Sequence, residues 1–276
     1  MVIGIDLGGT SITLGQLKNG KLLQKVTIAS PADKNLEESL QSIKNVIYSL
    51  MSSEVEGIGI GVPSVVDVEK GIVYNVANIP SWKEVHLKEI LEKEFGVRVC
   101  VNNDANCFAL GEFHYGAVKN YKSMVGLTLG TGVGAGIIIE GKLYNGFNTG
   151  AGEIGSIAYQ DGIYEDYCAS AFFSRQYGLS GKEAARLARE GNQNAAEIWR
   201  EFGKHLGNLM QTILFAYDPQ SIVIGGSISK AFPYFKESMY EQMNSFPYPE
   251  TLKRLTIDIS HEEHVAILGA ASLMYS

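Results

Sequence analysis

The chain opens on the stretch Val2-Ile3-Gly4-Ile5-Asp6-Leu7-Gly8-Gly9-Thr10. Its first half is short, apolar and rich in strand-favouring residues, which predicts a buried strand, and an acidic residue and two glycines follow at once. An apolar alternation resumes over residues 12–17 and reaches Asn19-Gly20, a strong hairpin signal. The chain therefore begins with β-hairpins that carry an acidic, glycine-containing turn.

A second stretch of the sequence has the same plan. Residues 123–129 predict a strand, Gly130-Thr131-Gly132-Val133-Gly134 a turn, and residues 135–140 the returning strand. Helical spacing and buried apolar runs predict helices over 35–51, 83–95, 104–115, 180–189, 194–216, 231–245 and 264–275, and strands over 55–62, 97–101, 221–224 and 255–259. We therefore expect two similar α/β lobes that meet at a cleft: residues 1–115 joined by the C-terminal helix (about 262–276), and residues 116–261.

Composition excludes several classes of protein. Of 276 residues, 31 are glycine and 7 proline, with no Gly-X-Y period, so the glycines indicate neither collagen nor a disordered segment. A net charge of −7 argues against a non-specific nucleic-acid binder. No apolar run approaches the roughly 20 residues that cross a bilayer, and no secretory signal is visible. The three cysteines make no framework of pairs, so we expect free thiols and a cytoplasmic protein, with Cys107 as a buried small residue.

Each glycine turn has a chemical and a structural interpretation. Gly8, Gly9 and Thr10 offer N–H groups and a hydroxyl to an anion, and Asp6 would repel a phosphate unless a divalent cation such as Mg²⁺ lay between them. The alternative is a tight hairpin with a surface aspartate. The turn over 130–134 is not a dinucleotide fingerprint, because a strand follows it, and it is not a P-loop. It is either a cradle for a terminal phosphate or a close-packed, glycine-rich strand.

The other candidates are carboxylates. Asp104 follows a strand and begins a helix, so it is either a helix cap or a general base that takes a proton from a substrate hydroxyl. Glu153 and Glu165 lie in small-residue loops, where they would accept bonds from vicinal sugar hydroxyls or be solvated. His261 and His264 lack the spacing of a zinc site.

Eight segments, in order along almost the whole chain, resemble one family. They are 3–10, Gly61-Val62-Pro63, Asn78-Ile79-Pro80-x-Trp82, Asn103-Asp104-Ala105-Asn106, 129–136, Gly150-Ala151-Gly152-Glu153-Ile154-Gly155, Ile224-Gly225-Gly226-Ser227 and Leu268-Gly269-Ala270-Ala271. This ordered set is similar to the ROK family of bacterial sugar kinases and sugar-responsive repressors. The resemblance implies an α/β fold of two-lobed, actin-like ATPase type with ribonuclease H-like domains.

The resemblance also implies roles for the matching residues. Asp104 would be the catalytic base, and Asp6 would lie near Mg²⁺ and bind it through water. The ATP-binding residues would be Asp6, Gly8, Gly9 and Thr10 in the first turn, Gly130, Thr131, Gly132 and Gly134 in the second, and Gly225, Gly226 and Ser227 beside the adenosine. The sugar contacts would be Gly61, Asn78, Asn103, Asp104, Glu153, Ser156 and Glu165. ATP and Mg²⁺ are the implied cofactors, a small sugar the implied partner and a homodimer the implied assembly, with no nucleic-acid or membrane partner.

One segment departs from the family pattern. Ser156 stands where the family has a histidine that also touches the sugar, and residues 157–164 contain none of the cysteines of the family's zinc loop. Glu165 follows too soon for that loop to fit, and Cys168 alone would not rebuild it. We therefore expect no zinc site, and the identity of the sugar stays open.

Three functions are compatible with these features. The first is an ATP-dependent kinase that phosphorylates a hydroxyl of a hexose or an N-acylated hexosamine, with Asp104 as general base. The second is a non-catalytic, sugar-binding regulator. The family's repressors carry a helix-turn-helix ahead of the first strand, whereas this sequence starts directly with the predicted first strand, so no DNA-binding element is expected. The third is an ATPase or assembly protein of actin type, which the carboxylates Glu153 and Glu165 argue against.

Overall fold

The computed structural model describes residues 1–76, 78–116 and 121–276. Its strands are β1 (Val2–Leu7), β2 (Ser11–Lys18), β3 (Lys21–Ala29), β4 (Gly57–Val62), β5 (Val65–Asp67), β6 (Ile72–Tyr74), β7 (Glu84–Val85), β8 (Arg98–Asn103), β9 (Met124–Leu129), β10 (Val133–Ile139), β11 (Lys142–Leu143), β12 (Ala158–Tyr159), β13 (Gly162–Ile163), β14 (Ser221–Gly225) and β15 (Thr256–Ile259). Its α-helices are α1 (Leu36–Leu50), α2 (Leu87–Phe95), α3 (Asp104–Tyr115), α4 (Tyr164–Cys168), α5 (Ser170–Tyr177), α6 (Gly181–Arg189), α7 (Gln193–Tyr217), α8 (Phe232–Met243), α9 (Pro249–Arg254) and α10 (Val265–Ser272). Short 3₁₀ turns lie at Ile154–Ser156, Ile228–Ala231 and Leu273–Tyr275.

The two main sheets repeat one strand order. The first runs β3-β2-β1-β4-β8 and the second β11-β10-β9-β14-β15, so each is ordered 3-2-1-4-5 in its own count. In the first, β1, β4 and β8 are parallel, and in the second, β9, β14 and β15 are parallel. The glycine turns follow the central strands β1 and β9. The repetition that the two glycine turns predict is therefore present, and the predicted α/β class is confirmed.

The chain forms two compact units. The first contains residues 1–120, 136–151 and 261–276, and the second residues 121–135 and 152–260. Residues 117–120, next to the predicted lobe boundary after residue 115, lie outside the described residues. The predicted lobes assign 136–151 to the C-terminal lobe, whereas these residues group with the first unit. The lobe boundaries stay a prediction.

The core of the first unit is built from its strands and α1. Ile3, Ile5 and Leu7 of β1 are buried, as are Ile43 and Ile47 on one face of α1. That helix begins at the predicted cap, because the Asn35 side chain accepts a hydrogen bond from the N–H of Glu38, and the Glu38 carboxylate accepts one from the N–H of Asn35. The cap and the apolar face together fix where α1 lies on the sheet.

Glycines bring α10 close to the central strands of the first unit. A Cβ on Gly59 of β4 would lie 1.8 Å from the carbonyl oxygen of Ala270, and a Cβ on Gly4 of β1 would lie 2.2 Å from that of Ile267. A Cβ on Gly269 of α10 would lie 1.7 Å from the carbonyl oxygen of Cys107 in α3. The first sheet, α10 and α3 therefore pack with their backbones in direct contact, and this contact fixes the position of α3.

We expect Gly59→Ala to destabilise the protein strongly. The new methyl group would force α10 off β4, at a cost of about 3 kcal/mol, which corresponds to a fall of roughly 10 °C in melting temperature. Gly150→Ala is the matched control, because no atom lies within 4 Å of a Cβ at that position, and it should change the free energy of unfolding by less than about 0.5 kcal/mol. Thermal melting of both variants measures the difference, and equal melting temperatures would contradict the packing argument.

Three local predictions differ from the structure. The helix predicted over 83–95 begins only at Leu87, because Glu84–Val85 pairs as strand β7 with β6. The small sheet β5-β6-β7 has no counterpart in the sequence prediction. Glu165, predicted in a small-residue loop, lies on the short helix α4, and α5 follows where no element was predicted. Ala169 separates the two helices, and this break obscures the helical spacing in the sequence.

The second unit is organised around the long helix α7. It begins after the cap Asn192, whose side chain accepts a bond from the N–H of Ala195, and ends where Asp218 adopts a left-handed backbone with φ of 41°. Trp199 and Phe202 of α7 are buried against Phe173 of α5 and Phe235 of α8. No helix within the described residues is long and apolar enough to span a membrane.

Candidate active site

Three residues that pair across neighbouring strands of the first sheet mark the position of the first group of predicted site residues. Asp6 of β1 pairs with Gly61 of β4, and Gly61 pairs with Asn102 of β8. Directly paired residues on neighbouring strands lie on the same face of a sheet. All three positions are near the carboxyl ends of parallel strands, where loops form binding sites in open α/β sheets. Asn103 and Asp104 follow Asn102 at this edge.

Asp6 has the environment of a cation ligand. It is partly buried, and this burial raises the pKa of its carboxyl group to about 6. A carboxylate in such a place is stabilised when a cation shares it. Mg²⁺ is bound in proteins by one or two carboxylates, water and substrate phosphates, so the donor chemistry of Asp6 and the following turn fits this ion.

The first glycine turn contacts a predicted sugar residue. A Cβ on Gly9 would lie 2.7 Å from Nδ2 of Asn78, so only a glycine allows the amide this close to the turn. The carbonyl oxygen of Thr10 accepts a hydrogen bond from the N–H of Ser30 at 3.0 Å. The structure therefore brings Asn78 beside the predicted phosphate turn within the first unit.

Asn103 and Asp104 begin α3. Oδ1 of Asn103 accepts bonds from the N–H groups of Ala105 at 2.8 Å and Asn106 at 3.4 Å, and its Nδ2 donates to the carbonyl oxygen of Ser64 at 3.2 Å. Oδ1 of Asp104 accepts from the N–H of Ala105 at 2.9 Å. Asn103 is thus the N-cap of α3, and Asp104 is its first residue, with its carboxylate on the N–H of the next residue. For Asp104 this contact holds the carboxylate in one orientation, which a general base also needs.

Gly61 allows the start of α3 to approach β4. A Cβ there would lie 3.0 Å from Sγ of Cys107 and 3.5 Å from Cα of Asp104. Burial, followed by the carboxylates of Asp104 and Asp6, raises the pKa of the Cys107 thiol. This thiol is therefore an inert packing group, as the sequence predicts. Asp6 pairs with Gly61 across the sheet and Asp104 begins the helix that packs against Gly61, so the two carboxylates lie at the same edge.

A chain of three asparagines supports this edge. Nδ2 of Asn106 donates to Oδ1 of Asn102 at 2.8 Å, and Nδ2 of Asn102 donates to Oδ1 of Asn145 at 2.8 Å. Asn102 and Asn106 are buried. Neither Asn102 nor Asn145 has a predicted role. Asn102 begins a run of polar residues at the end of an apolar strand, whereas Asn145 has no comparable signal in the sequence.

The second glycine turn lies at the equivalent edge of the second unit. The carbonyl oxygen of Gly130 accepts bonds from the N–H of Ser170 at 2.9 Å and from its Oγ at 2.8 Å. Gly225, at the end of β14, pairs with Thr128 of β9, and Oγ of Ser227 lies 3.7 Å from a Cβ placed on Gly130. The predicted second phosphate turn and the predicted adenosine loop are therefore neighbours.

Glu153 and Glu165 lie near each other in the second unit. Partial burial, followed by the charge of Glu165, raises the pKa of Glu153. Oε2 of Glu165 accepts a hydrogen bond from the N–H of Val133 at 3.0 Å, a contact that the sequence analysis did not anticipate. Ser156 is exposed at the end of the 3₁₀ turn that follows Glu153. The predicted sugar residues of this unit are therefore close to the second glycine turn.

An aromatic cluster supports the hairpin of β12 and β13, in the segment where the resemblance implies a zinc loop. The ring of Tyr159, on β12, stacks on that of Tyr164 at 4.3 Å, and its hydroxyl lies 3.0 Å from Nδ1 of His205. Nδ2 of Asn208 donates to the same hydroxyl at 3.1 Å, and the Tyr164 hydroxyl lies 2.7 Å from Oγ1 of Thr212. His205, Asn208 and Thr212 belong to α7, so these contacts attach β12, β13 and α4 to that helix. Among the described residues, no group of three or more His, Cys, Asp or Glu side chains is placed to bind a metal ion.

We expect Tyr159→Leu to destabilise this hairpin. We also expect that a zinc chelator will not destabilise it. The variant loses the stacked ring and two hydrogen bonds, worth about 2 kcal/mol, so its melting temperature should fall by roughly 4–8 °C. Tyr275→Leu is the matched control, because that side chain is 75% exposed. A zinc-selective chelator should leave the melting temperature of the unaltered protein in place. A clear fall with the chelator would show a metal that the sequence does not predict.

The two repeated sheets with a glycine turn after each central strand define a protein of the actin-like ATPase class. A family model described as "ROK family" matches residues 2–276. The chain therefore belongs to the ROK family, and the predicted resemblance and fold class are confirmed.

Known relatives agree over most of the chain. It is 29% identical to a glucokinase of Thermotoga maritima, with 99% of this chain and 96% of the relative covered. It is 32% identical to an N-acetyl-D-glucosamine kinase of Vibrio cholerae, with 88% of each covered. Among solved structures, a ROK family glucokinase from Streptomyces griseus in complex with glucose and AMPPNP has a TM-score of 0.81 and 26% identity, with 99% of this chain and 98% of that chain covered.

Proposed function

We propose that this protein is an ATP-dependent sugar kinase in which Asp104 is the general base. The observation that carries the proposal is the edge of the first sheet, where Asp104 begins a helix that packs against Gly61, the strand partner of Asp6. Two carboxylates at this edge, next to a turn that would bind phosphate, suit phosphoryl transfer to a sugar hydroxyl. The kinases named among its relatives support the same reaction.

The reaction follows from what the residues would do. The carboxylate of Asp104 would accept the proton of a sugar hydroxyl as its oxygen forms a bond to the γ-phosphorus of ATP, and the bond from that phosphorus to the β-phosphate oxygen would break to release ADP. Phosphoryl transfer depends mainly on alignment and on neutralising charge. The N–H groups of the turn at 8–10, and those of the turn at 130–134 other than Gly130 and Val133, would supply part of that neutralisation.

Mg²⁺ would be bound at Asp6, through water, next to Gly8, Gly9 and Thr10. When bound it supplies positive charge to the phosphate oxygens. The raised pKa of Asp6 fits this role, because a buried carboxylate is most easily kept ionised beside a cation.

The sugar would be bound by Asn78, Asn103, Glu153, Ser156 and Glu165, while Gly61 would act by letting the start of α3 approach β4. Carboxylates accept paired bonds from vicinal hydroxyls, which suits a pyranose ring. We propose a hexose or an N-acylated hexosamine as substrate, since the named relatives include a glucokinase and an N-acetyl-D-glucosamine kinase. Ser156 offers a hydroxyl where the family pattern has an imidazole, so the preferred sugar is set partly here. A homodimer in the cytoplasm, without nucleic-acid or membrane partners, is proposed from the family resemblance.

A thermal-shift screen of hexoses and N-acylated hexosamines, with and without AMPPNP and Mg²⁺, tests the proposed ligands. A ligand that binds only the native protein raises its melting temperature. The expected result is stabilisation by at least one sugar and by the nucleotide. Stabilisation by a sugar with none by the nucleotide would contradict the kinase and favour the alternative, a non-catalytic sugar-binding regulator.

A further inference from the structure

We propose that Glu165 shapes the second phosphate turn, in addition to its proposed contact with the sugar, and so links sugar binding to nucleotide binding. The inference rests on the proposed function, because it requires that the turn over 130–134 binds ATP phosphates. In this role Glu165 is a positioning residue for the nucleotide.

The first support is a direct bond between the carboxylate and the turn. Oε2 of Glu165 accepts a hydrogen bond from the N–H of Val133 at 3.0 Å, and this bond joins positions 32 residues apart in the chain. Bonds to an ionised acceptor are shorter and stronger than neutral ones. The N–H of Gly130 is also engaged, with the carbonyl oxygen of Gly132 at 3.0 Å. These two bonds fix the backbone of the turn, and phosphate binding would fall on its other groups, among them the hydroxyl of the exposed Thr131.

The second support is the space left for that carboxylate. A Cβ on Gly132 would lie 2.5 Å from Oε2 of Glu165. Any larger residue at 132 would therefore displace the Glu165 side chain, which is flexible at its end, while leaving the backbone of the fold in place. The absence of a side chain at Gly132 thus leaves space for the Glu165 carboxylate, in addition to any space that it leaves for a ligand.

The third support is the way in which the helix pair α4 and α5 contacts the turn at two points. Glu165 of α4 bonds Val133, and Ser170 of α5 bonds the carbonyl oxygen of Gly130 through both its N–H and its hydroxyl. The pair is fixed to α7 by the buried ring of Tyr164, whose hydroxyl lies 2.7 Å from Oγ1 of Thr212. A change at the Glu165 carboxylate is therefore transmitted to a turn whose other end is held.

A sugar that donates hydroxyl protons to Glu165 would restrain the carboxylate in the position that orders the turn. The hydroxyl groups of the sugar would also partly neutralise the negative charge of Glu165, which would otherwise repel an anionic ligand. Glu165 acts in this way on another negative group, because its charge raises the pKa of Glu153. The sugar should thus tighten nucleotide binding. By thermodynamic linkage the nucleotide should tighten sugar binding by the same factor.

The test is a titration of AMPPNP with Mg²⁺ in the wild-type protein and four variants, with and without a sugar that stabilises the protein. Glu165→Ala removes the bond to Val133 and should raise the Kd for AMPPNP about tenfold, while Glu165→Gln keeps an acceptor oxygen and should stay within about threefold. Gly132→Ala, which displaces the carboxylate, should resemble Glu165→Ala. The matched control is Glu250→Ala, whose side chain is 71% exposed on α9, and it should leave the Kd for AMPPNP within about twofold.

Melting temperatures establish that each variant is folded before its Kd is compared. An AMPPNP Kd that is unchanged or lower in Glu165→Ala, or a sugar that tightens AMPPNP binding equally in that variant and the wild type, would overturn the inference while leaving the kinase proposal intact. A wild-type protein that does not bind AMPPNP at all would overturn both.

Discussion

Replacement of Asp104 by asparagine should lower kcat about 10³-fold at saturating sugar and MgATP, with little change in KM for either. The amide is nearly the same size and its oxygen still accepts the bond from the N–H of Ala105, so α3 should begin in the same place. What is lost is the acceptor of the hydroxyl proton, and general-base catalysis contributes roughly 10²–10⁴-fold. The measurement is steady-state ADP release with the sugar that the thermal-shift screen selects.

The matched control for Asp104→Asn is Glu89→Gln. It also converts an acid to its amide in the first unit, and that side chain is 77% exposed on α2. Its kcat should stay within about twofold of the wild type, as surface changes of this kind alter little. Activity in Asp104→Asn equal to that of the control would remove Asp104 from the mechanism.

The second large effect is expected from Gly61→Ala. The new methyl group would lie 3.0 Å from Sγ and 3.3 Å from Cβ of Cys107, so the first turn of α3 must move by a few tenths of an ångström or more, and Asp104 moves with it. We expect a loss of about 2 kcal/mol in stability from overpacking, and a fall of roughly 10- to 100-fold in kcat, because small displacements of a catalytic group are costly. Denaturant unfolding and ADP release measure the two effects.

The variant Cys107→Ala supplies a double-mutant cycle for this contact. By itself it removes the sulfur and should be mildly destabilising. In combination with Gly61→Ala it removes the closer of the two contacts, so part of the lost stability and activity should return. Strict additivity of the two changes would show that Gly61 does not act through Cys107.

Local sequence signals were sufficient for the features that depend on neighbouring residues. Asn35 and Glu38 form the predicted reciprocal cap, and Asn19-Gly20 joins β2 to β3 with both residues at positive φ. The apolar run before Asp6 predicts β1 at its observed bounds. In each case the determining atoms lie within a few residues of one another, where composition and spacing carry the information.

Contacts between distant segments were not predictable from one sequence. The role of Gly59 depends on Ala270, more than two hundred positions later, and strand β7 exists because Val85 pairs with Val73. Gly59 lies two residues before the predicted sugar contact Gly61, yet its backbone packs against α10. A glycine in the sequence is compatible with close approach of either a ligand or a helix, and only the fold shows which of the two approaches it.

The candidate site shows the same division. The sequence selected Asp6, Asp104 and both glycine turns because their residue types suit phosphate chemistry. It assigned Glu165 to the sugar alone and to a loop, while the structure places it on α4 with its carboxylate on the N–H of Val133. That bond depends on tertiary packing of α4, α5 and α7, which no local pattern encodes.

The most direct test of the central claim follows the γ-phosphate itself. The protein is incubated with Mg²⁺, ATP labelled at the γ-phosphorus, and each of a set of hexoses and N-acylated hexosamines, and the labelled products are separated. We predict one labelled sugar phosphate for each ADP formed, with at least one sugar in the set, and about 10³-fold slower transfer by Asp104→Asn. ADP that accumulates with inorganic phosphate and no labelled sugar, or equal transfer by Asp104→Asn, would contradict a sugar kinase that uses Asp104 as its base.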